Sequence, residues 1–227
     1  MSQALEQALV TAPLLTFGQC TRFPSNTLTY TRATIWLMRM FIALPLPEAV
    51  KEDLSEFLEP RQEAGPDLRW TVPEQWHLTL AFLPEVADRH TDELLERCGR
   101  AASRRKPFDL RLVGAGAFPH PGDAKVLWAG AEHDGEELMR LAGGVRAAGA
   151  KSGVAVGGGR FHPHLTLARL AVPADVSRWL RVLDMYAGPS WQVREVALIA
   201  SYLGQGRNGR SRHEVREIFP LGPPSIG

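Results

Sequence analysis

Cysteine is scarce in this chain, with Cys20 and Cys98 the two present in 227 residues. They lie far apart and in no Cys-x-x-Cys or metal-ligand spacing, which excludes a disulfide framework, a zinc ribbon and a thioredoxin-type motif and points to a reducing, cytoplasmic setting. Charge of one sign is scarce too. Lys and Arg total 26 against 25 Asp and Glu, a formal net charge of +1, so the broad basic footprint that neutralises many phosphates along a duplex is missing. A nucleic-acid partner would have to be met locally, at a chain end. No stretch approaches the roughly 18 consecutive apolar residues of a membrane span, so a soluble protein with no membrane partner is expected. Coiled-coil heptads and long apolar surface stretches are also lacking, and a monomer is expected.

Residues 1–37 contain Pro13, Gly18, Pro24, Ser25 and many threonines, without the basic start and apolar run of a signal peptide. They are read as an N-terminal extension, poorly packed or arising from an upstream start. The domain itself is expected to span residues 38–221, with 222–227 a short tail. Its first strand is Met38-Arg39-Met40-Phe41-Ile42-Ala43-Leu44.

Helical spacing of Val50, Leu54, Phe57 and Leu58 predicts a helix over Glu48–Glu59. Strands are expected at Leu68–Val72 and Trp76–Leu83, then a helix at Asp88–Ser103 buried through Leu94, Cys98 and Ala101. Two strands, Phe108–Ala117 and Lys125–Ala131, flank a turn-rich segment at 118–123. A helix over Glu136–Ala148, a strand at Phe161–Arg169, a helix at Ala174–Leu183 and strands at Trp191–Tyr202 and Arg212–Phe219 complete the reading. Short connections compatible with antiparallel pairing make this an α+β fold, bilobal in outline. The glycine-rich run Gly153–Gly159 lacks a following Lys-Ser/Thr, opens no helix and has no dinucleotide-loop spacing, so it is read as a plain connection.

The informative feature is a repeat: His77-Leu78-Thr79-Leu80 recurs as His164-Leu165-Thr166-Leu167. With average residue usage, Leu-Thr-Leu after a given histidine has a chance of ~10⁻³ or less, so a second copy among the seven histidines is expected at below ~1%. On a strand, residues i and i+2 share a face, so each copy presents a histidine and a threonine together while its leucines anchor the other face in a core. Two imidazoles and two hydroxyls facing one cleft suit hydrolysis of a cyclic phosphodiester. One imidazole takes a proton from water, the other gives one to the departing ribose oxygen, and the hydroxyls hold phosphoryl oxygens.

These residues resemble the two-histidine phosphoesterase superfamily, marked by a pair of His-x-Thr/Ser-x motifs, and within it the RNA 2′,3′-cyclic phosphodiesterases, also called 2′-5′ RNA ligases. Met40-Phe41-Ile42-Ala43-Leu44 is similar to that family's opening strand. Trp76-His77-Leu78-Thr79-Leu80-Ala81-Phe82-Leu83 and Phe161-His162-Pro163-His164-Leu165-Thr166-Leu167-Ala168-Arg169 are similar to its two motifs, and Lys125-Val126-Leu127-Trp128-Ala129-Gly130 to the strand between them. Pro84 departs from the glycine usual there, which would affect the exit turn from the strand. The resemblance implies two pseudo-symmetric lobes, each with an antiparallel sheet and helices, and an active-site cleft between them. It implies a metal-independent hydrolase of RNA or nucleotide 2′,3′-cyclic phosphate ends that needs no cofactor, with reversible 2′-5′ ligation as the formal reverse. By the resemblance alone, His77 is the proton donor and His164 the acceptor that activates water.

Other candidates surround the motifs. His162 and His164 at i and i+2 lack the third protein ligand of a catalytic zinc site, so no metal is assigned. Arg160 shares the parity of His164 and is a candidate phosphate ligand. Arg169 has the opposite parity and would reach the phosphate only if the strand twists or ends early. Phe118 either stacks on a base or plugs a core. His90, His120, His133 and His213 receive no role. The competing functions are a cyclic phosphodiesterase of small nucleotides such as ADP-ribose cyclic phosphate or 2′-5′ oligoadenylate, a nucleotide-binding module, and a metal-dependent phosphodiesterase. For the extension, a chain beginning at Met38 is expected to match the full chain in melting temperature and activity; a clear drop in melting temperature would show that the first 37 residues pack onto the domain.

Overall fold

A computed structural model describes residues 16–22, 28–34, 37–64, 68–133, 135–206 and 209–223, with side-chain burial from Leu37 onward. Within the expected extension, β1 (Thr16–Arg22) and β2 (Leu28–Thr34) pair antiparallel as a two-stranded sheet of their own. The remaining elements are β3 (Leu37–Pro45), α1 (Glu48–Ala64), β4 (Arg69–Trp70), β5 (His77–Ala87), α2 (Asp88–Ser103), β6 (Phe108–Phe118), β7 (Ala124–His133) and α3 (Glu137–Lys151). They continue with β8 (His164–Ala174), α4 (Ser177–Leu183), β9 (Ala187–Val193), β10 (Glu195–Tyr202) and β11 (Arg212–Pro220). This is an α+β fold. Among the described residues, no helix is long and apolar enough to cross a membrane.

One nine-stranded antiparallel sheet runs β11-β10-β3-β5-β8-β7-β6-β9, with β4 added to β8. Its two halves meet at a single bridge, Leu78 against Leu165. The helices cross between the halves: α1 leaves β3 to pack on β9, while α3 leaves β7 to pack on β5 beside α2. One large core cluster therefore includes Ile42, Leu54 and Leu83 together with Leu110, Leu127 and Leu165. The two halves share a core as well as a sheet.

Helix faces follow the apolar spacing. Val50, Leu54 and Leu58 are buried from α1, and Leu94, Cys98 and Ala102 from α2. In α2 the buried stripe thus ends at Ala102, one full i+4 step beyond Cys98, and Ala101 is only half-buried. Each fully buried leucine contributes on the order of 1.5–3 kcal/mol relative to an exposed one. Helix α1 was expected to end at Glu59 yet continues through Pro60 to Ala64. The proline removes one backbone donor, and the Arg61 guanidinium hydrogen-bonds the Phe57 carbonyl while lying 3.7 Å over the Phe57 ring.

Three strand expectations are corrected. The single strand expected over Trp191–Tyr202 is two strands broken at Arg194. β9 pairs with β6 and β10 with β3, so the chain crosses from one end of the sheet to the other half there. The Arg194 carbonyl accepts from the Leu221 backbone N–H at 2.7 Å instead of from a ladder partner. Pro84 makes no exit turn: β5 continues to Ala87, and the β3–β5 register shifts between Met38 and Met40, opposite the proline. A bulge is where a strand tolerates a residue without an N–H. The strand expected from Phe161 begins at His164 and runs on to Ala174, which shortens the following helix to Ser177–Leu183.

Both motif strands carry a bulge at the same place. The β3–β5 register jumps from Ile42–Ala81 to Ala43–Thr79, leaving Leu80 unpaired, and the β7–β8 register jumps from Leu127–Ala168 to Trp128–Thr166, leaving Leu167 unpaired. Thr71 fastens the second bulge. Its N–H donates to the Leu167 carbonyl at 2.8 Å, its Oγ1 lies 2.9 Å from both the Thr166 and Leu167 carbonyls, and Oγ1 also accepts from Trp76 Nε1 at 2.8 Å. Thr71→Val strips the bulge of this hydroxyl and leaves a buried indole N–H unpaired. It is expected to lower unfolding free energy by about 1–3 kcal/mol in urea titrations, with an unchanged m-value. A loss below about 0.5 kcal/mol, the scale of an inconsequential surface change, would show that the network does not hold the bulge.

Candidate active site

His77 opens β5 and His164 opens β8, so each imidazole stands at a strand start, held by the leucine after it. Leu78 and Leu165 are 1% and 0% exposed, while His77, Thr79, His164 and Thr166 are half-buried on the opposite face. The Leu78–Leu165 bridge is antiparallel, which brings His77 alongside Thr166 and Thr79 alongside His164. The repeat thus becomes a two-fold arrangement of one histidine and one threonine from each strand.

Each histidine is tied to the carbonyl two residues before it. His164 Nδ1 lies 2.7 Å from the His162 carbonyl, and His77 hydrogen-bonds the Gln75 backbone. A carbonyl only accepts, so Nδ1 of His164 carries the proton and Nε2 is left for chemistry. Aromatic rings fix the imidazole planes. His77 stacks on Phe41 with centroids 4.4 Å apart, and His213 meets His77 edge-on at 5.4 Å. Phe118 meets His164 edge-on at 4.9 Å and lies 5.3 Å from Trp128. The indole of Trp128 fits because its cross-strand partner is Gly116, where any Cβ would sit 2.0 Å from the ring.

The cleft beside these strands has a volume of about 590 Å³. Its lining includes His77, Thr79, His213 and Ser201, the rings of Phe41, Trp70 and Phe82, and four arginines, Arg39, Arg69, Arg169 and Arg210, with no carboxylate. Burial pushes the His77 imidazole down to about 3, helped by His213 and opposed by the Gln75 hydrogen bond. Burial also lowers His164, against the His162 hydrogen bond that raises it. Arg169 acts on both imidazoles.

Arg169 reaches the cleft because of the bulge at Leu167. Strict alternation would have put it on the core face, but Leu167 and Ala168 are both buried, and the parity resets so that Arg169 joins His164 and Thr166. Phe82 occupies the matching position after the bulge at Leu80. Arg160 is placed differently from the expectation. It precedes the start of β8, so strand parity does not govern it, and it is exposed; like His164, Thr166 and Phe118 it is not among the residues that line this cleft. His162 is exposed too, edge-on to Trp128 at 4.7 Å. Among the described residues, no group of three or more potential metal ligands occurs.

Several lining residues escaped the sequence reading: Arg39, Arg69, Phe82 and His213. A usable signal existed for Phe82. The repeat extends to a fifth residue, His-Leu-Thr-Leu-Ala in both copies, and the consecutive Leu-Ala breaks the alternation where the bulge forms. His213 carried no local signal, since only the pairing of β11 on β10 brings it to His77.

Matched histidine–threonine strands at the centre of an antiparallel sheet, opening on an arginine-lined cleft, define a two-histidine α+β protein. The 2′-5′ RNA ligase superfamily matches residues 47–205, and the chain belongs to it. The chain is 37% identical over 174 residues to an RNA 2′,3′-cyclic phosphodiesterase of Thermus thermophilus, covering 73% of this chain and 83% of that one. It is 32% identical over 171 residues to the RNA 2′,3′-cyclic phosphodiesterase of Escherichia coli, covering 74% and 90%. The crystal structure of E. coli LigT complexed with 3′-AMP aligns with a TM-score of 0.67 at 28% identity, over 82% of this chain and 99% of that one.

The depressed imidazoles have a consequence for stability. Between the ordinary histidine value of 6.5 and about 3, the unfolded chain binds protons that folded His77 refuses, so stability falls as pH falls through that interval. Urea midpoints are expected to drop less steeply from pH 7 to pH 4 in His77→Gln than in the wild type. Parallel slopes would mean that His77 titrates as an exposed histidine.

Proposed function

We infer that the protein hydrolyses 2′,3′-cyclic phosphate ends of RNA or nucleotides to 2′-phosphomonoesters by two-histidine acid–base catalysis. The observation that carries this is the pair of backbone-tethered imidazoles beside a cleft lined by arginines and free of carboxylates. A cyclic phosphate is an anion, and in such a cleft it meets arginines and hydroxyls and no carboxylate. Its names among relatives at 37% and 32% identity support the same reading.

Water attacks phosphorus as His164 Nε2 takes its proton, the bond from phosphorus to the 3′ oxygen breaks, and His77 gives a proton to that oxygen. The role order follows the family resemblance. Burial holds the His77 imidazole down to about 3, and the negative charge of the substrate raises an adjacent imidazole, so the donor gains its proton along with the substrate. Thr79 and Thr166 hold phosphoryl oxygens by hydrogen bonds, and Arg169 balances their charge. Phe118 supports His164 edge-on and offers a ring on which a base can stack. Arg160 stays outside the reacting group. The acting unit is residues 38–221 as a cytoplasmic monomer, in keeping with the cysteine usage and charge of the sequence.

The test is incubation with 2′,3′-cyclic nucleotides and cyclic-ended oligonucleotides in excess EDTA, followed by identification of the product isomer. The 2′-phosphate is expected, with His77→Ala and His164→Ala losing most turnover. Thr79→Val and Thr166→Val should each lower kcat/KM roughly tenfold to a few hundredfold, from a lost hydrogen bond to a charged group of about 1.5–3 kcal/mol. Activity within tenfold of wild type in either alanine variant, or activity abolished by EDTA, would overturn the reading.

A further inference from the structure

A second basic position stands further along the cleft. Arg39, on β3, is half-buried, and its guanidinium lies 4.6 Å from the centroid of the Phe82 ring. Its Nε is buried and has no hydrogen-bond partner among the described residues. Arginines elsewhere on the surface hold glutamates: Arg97, Arg100, Arg111, Arg140, Arg212 and Arg216 each do so. Arg39 instead faces a cleft without a carboxylate and feels the charge of Arg169. An anion seated between the two guanidiniums would relieve the repulsion and satisfy the orphaned donor.

Pseudo-symmetry locates that anion. Phe82 fills, after the first motif, the place that Arg169 fills after the second, so Arg39 reaching across from β3 supplies the guanidinium that β5 lacks. The two are not equivalent in reach. Arg169 acts on both motif histidines, whereas Arg39 acts on His213. With Leu80 bulged out, Phe82 lies one same-face step beyond Thr79, roughly 7 Å along the strand, which is about the length of one nucleotide of backbone.

We propose that Arg39, on its Phe82 platform, binds the phosphodiester on the 5′ side of the terminal nucleotide, so that the cleft favours a 2′,3′-cyclic phosphate carried on a chain over one on a lone nucleoside. The proposal rests on the two-histidine reading of the site. The recognised chemistry is a 5′-phosphoryl group, whose source is either an internucleotide link or a free 5′-phosphate.

The test compares kcat/KM on a dinucleotide ending in a 2′,3′-cyclic phosphate, made with either a phosphodiester or an uncharged methylphosphonate link. Wild type is expected to prefer the charged link by about tenfold or more, the scale of one hydrogen bond to a charged group. Arg39→Gln should bring that ratio close to one, and Arg39→Lys should leave it intermediate. Because the ratio compares two substrates on one preparation, partial misfolding cancels; if Arg39→Gln does not fold, the wild-type and Arg39→Lys ratios decide. A wild-type ratio near one, or an unchanged ratio in the variants, overturns the proposal. A gain shared by a 5′-phosphorylated cyclic mononucleotide identifies the phosphoryl group itself as the recognised element, and a gain confined to the dinucleotide restricts recognition to a chain. If the wild type turns over none of these substrates, the parent reading and this proposal fall together, an outcome distinct from turnover with a flat ratio.

Discussion

A single antiparallel bridge, Leu78 against Leu165, joins the two halves of the sheet, and the placement of His77, Thr79, His164 and Thr166 depends on it. Because side chains alternate along a strand, two buried leucines paired at that point force the flanking histidines and threonines onto the opposite face, side by side. The exchanged helices hold the bridge in place, since α1 and α3 each leave one half of the sheet to cover the other. Opening the cleft by separating the halves would expose one shared core, so the imidazoles are held at fixed separation by the main hydrophobic cluster.

Electrostatics then follow from what the cleft lacks. Four arginines line it and no carboxylate does, in a chain whose net charge is only +1. The positive charge is local, which matches recognition of a chain end better than of a duplex. Burial lowers both imidazoles, His77 to about 3, and a negative charge placed beside them would raise them again. Tethering of each ring to its i−2 carbonyl and packing against Phe41 or Phe118 limit the motion of both imidazoles, the condition under which positioned acid–base groups are effective.

How far this was legible depends on whether the determining interaction was local. The repeat was visible because identity at four consecutive positions is improbable by chance, and helices α2 and α3 because their apolar spacing is regular. Strict alternation puts Arg169 on the core face, and the bulge that turns it to the cleft depends on the partner strands β7 and β4 and on Thr71. The break at Arg194 is hidden for a similar reason: Trp191–Tyr202 holds no glycine or proline to mark a break, and its two different partners divide it. Arg160 fell the other way, its parity argued from a strand that starts four residues later.

By itself, then, the sequence determined the local pattern: two histidines and two threonines on strands with buried leucines opposite, in an α+β chain, because strand periodicity and residue type are local properties. The tertiary structure alone decided which basic side chains join them. Arg39 from β3, Arg69 from β4 and His213 from β11 enter the cleft through pairings between residues distant in sequence, and no local periodicity encodes which strand lies next to which.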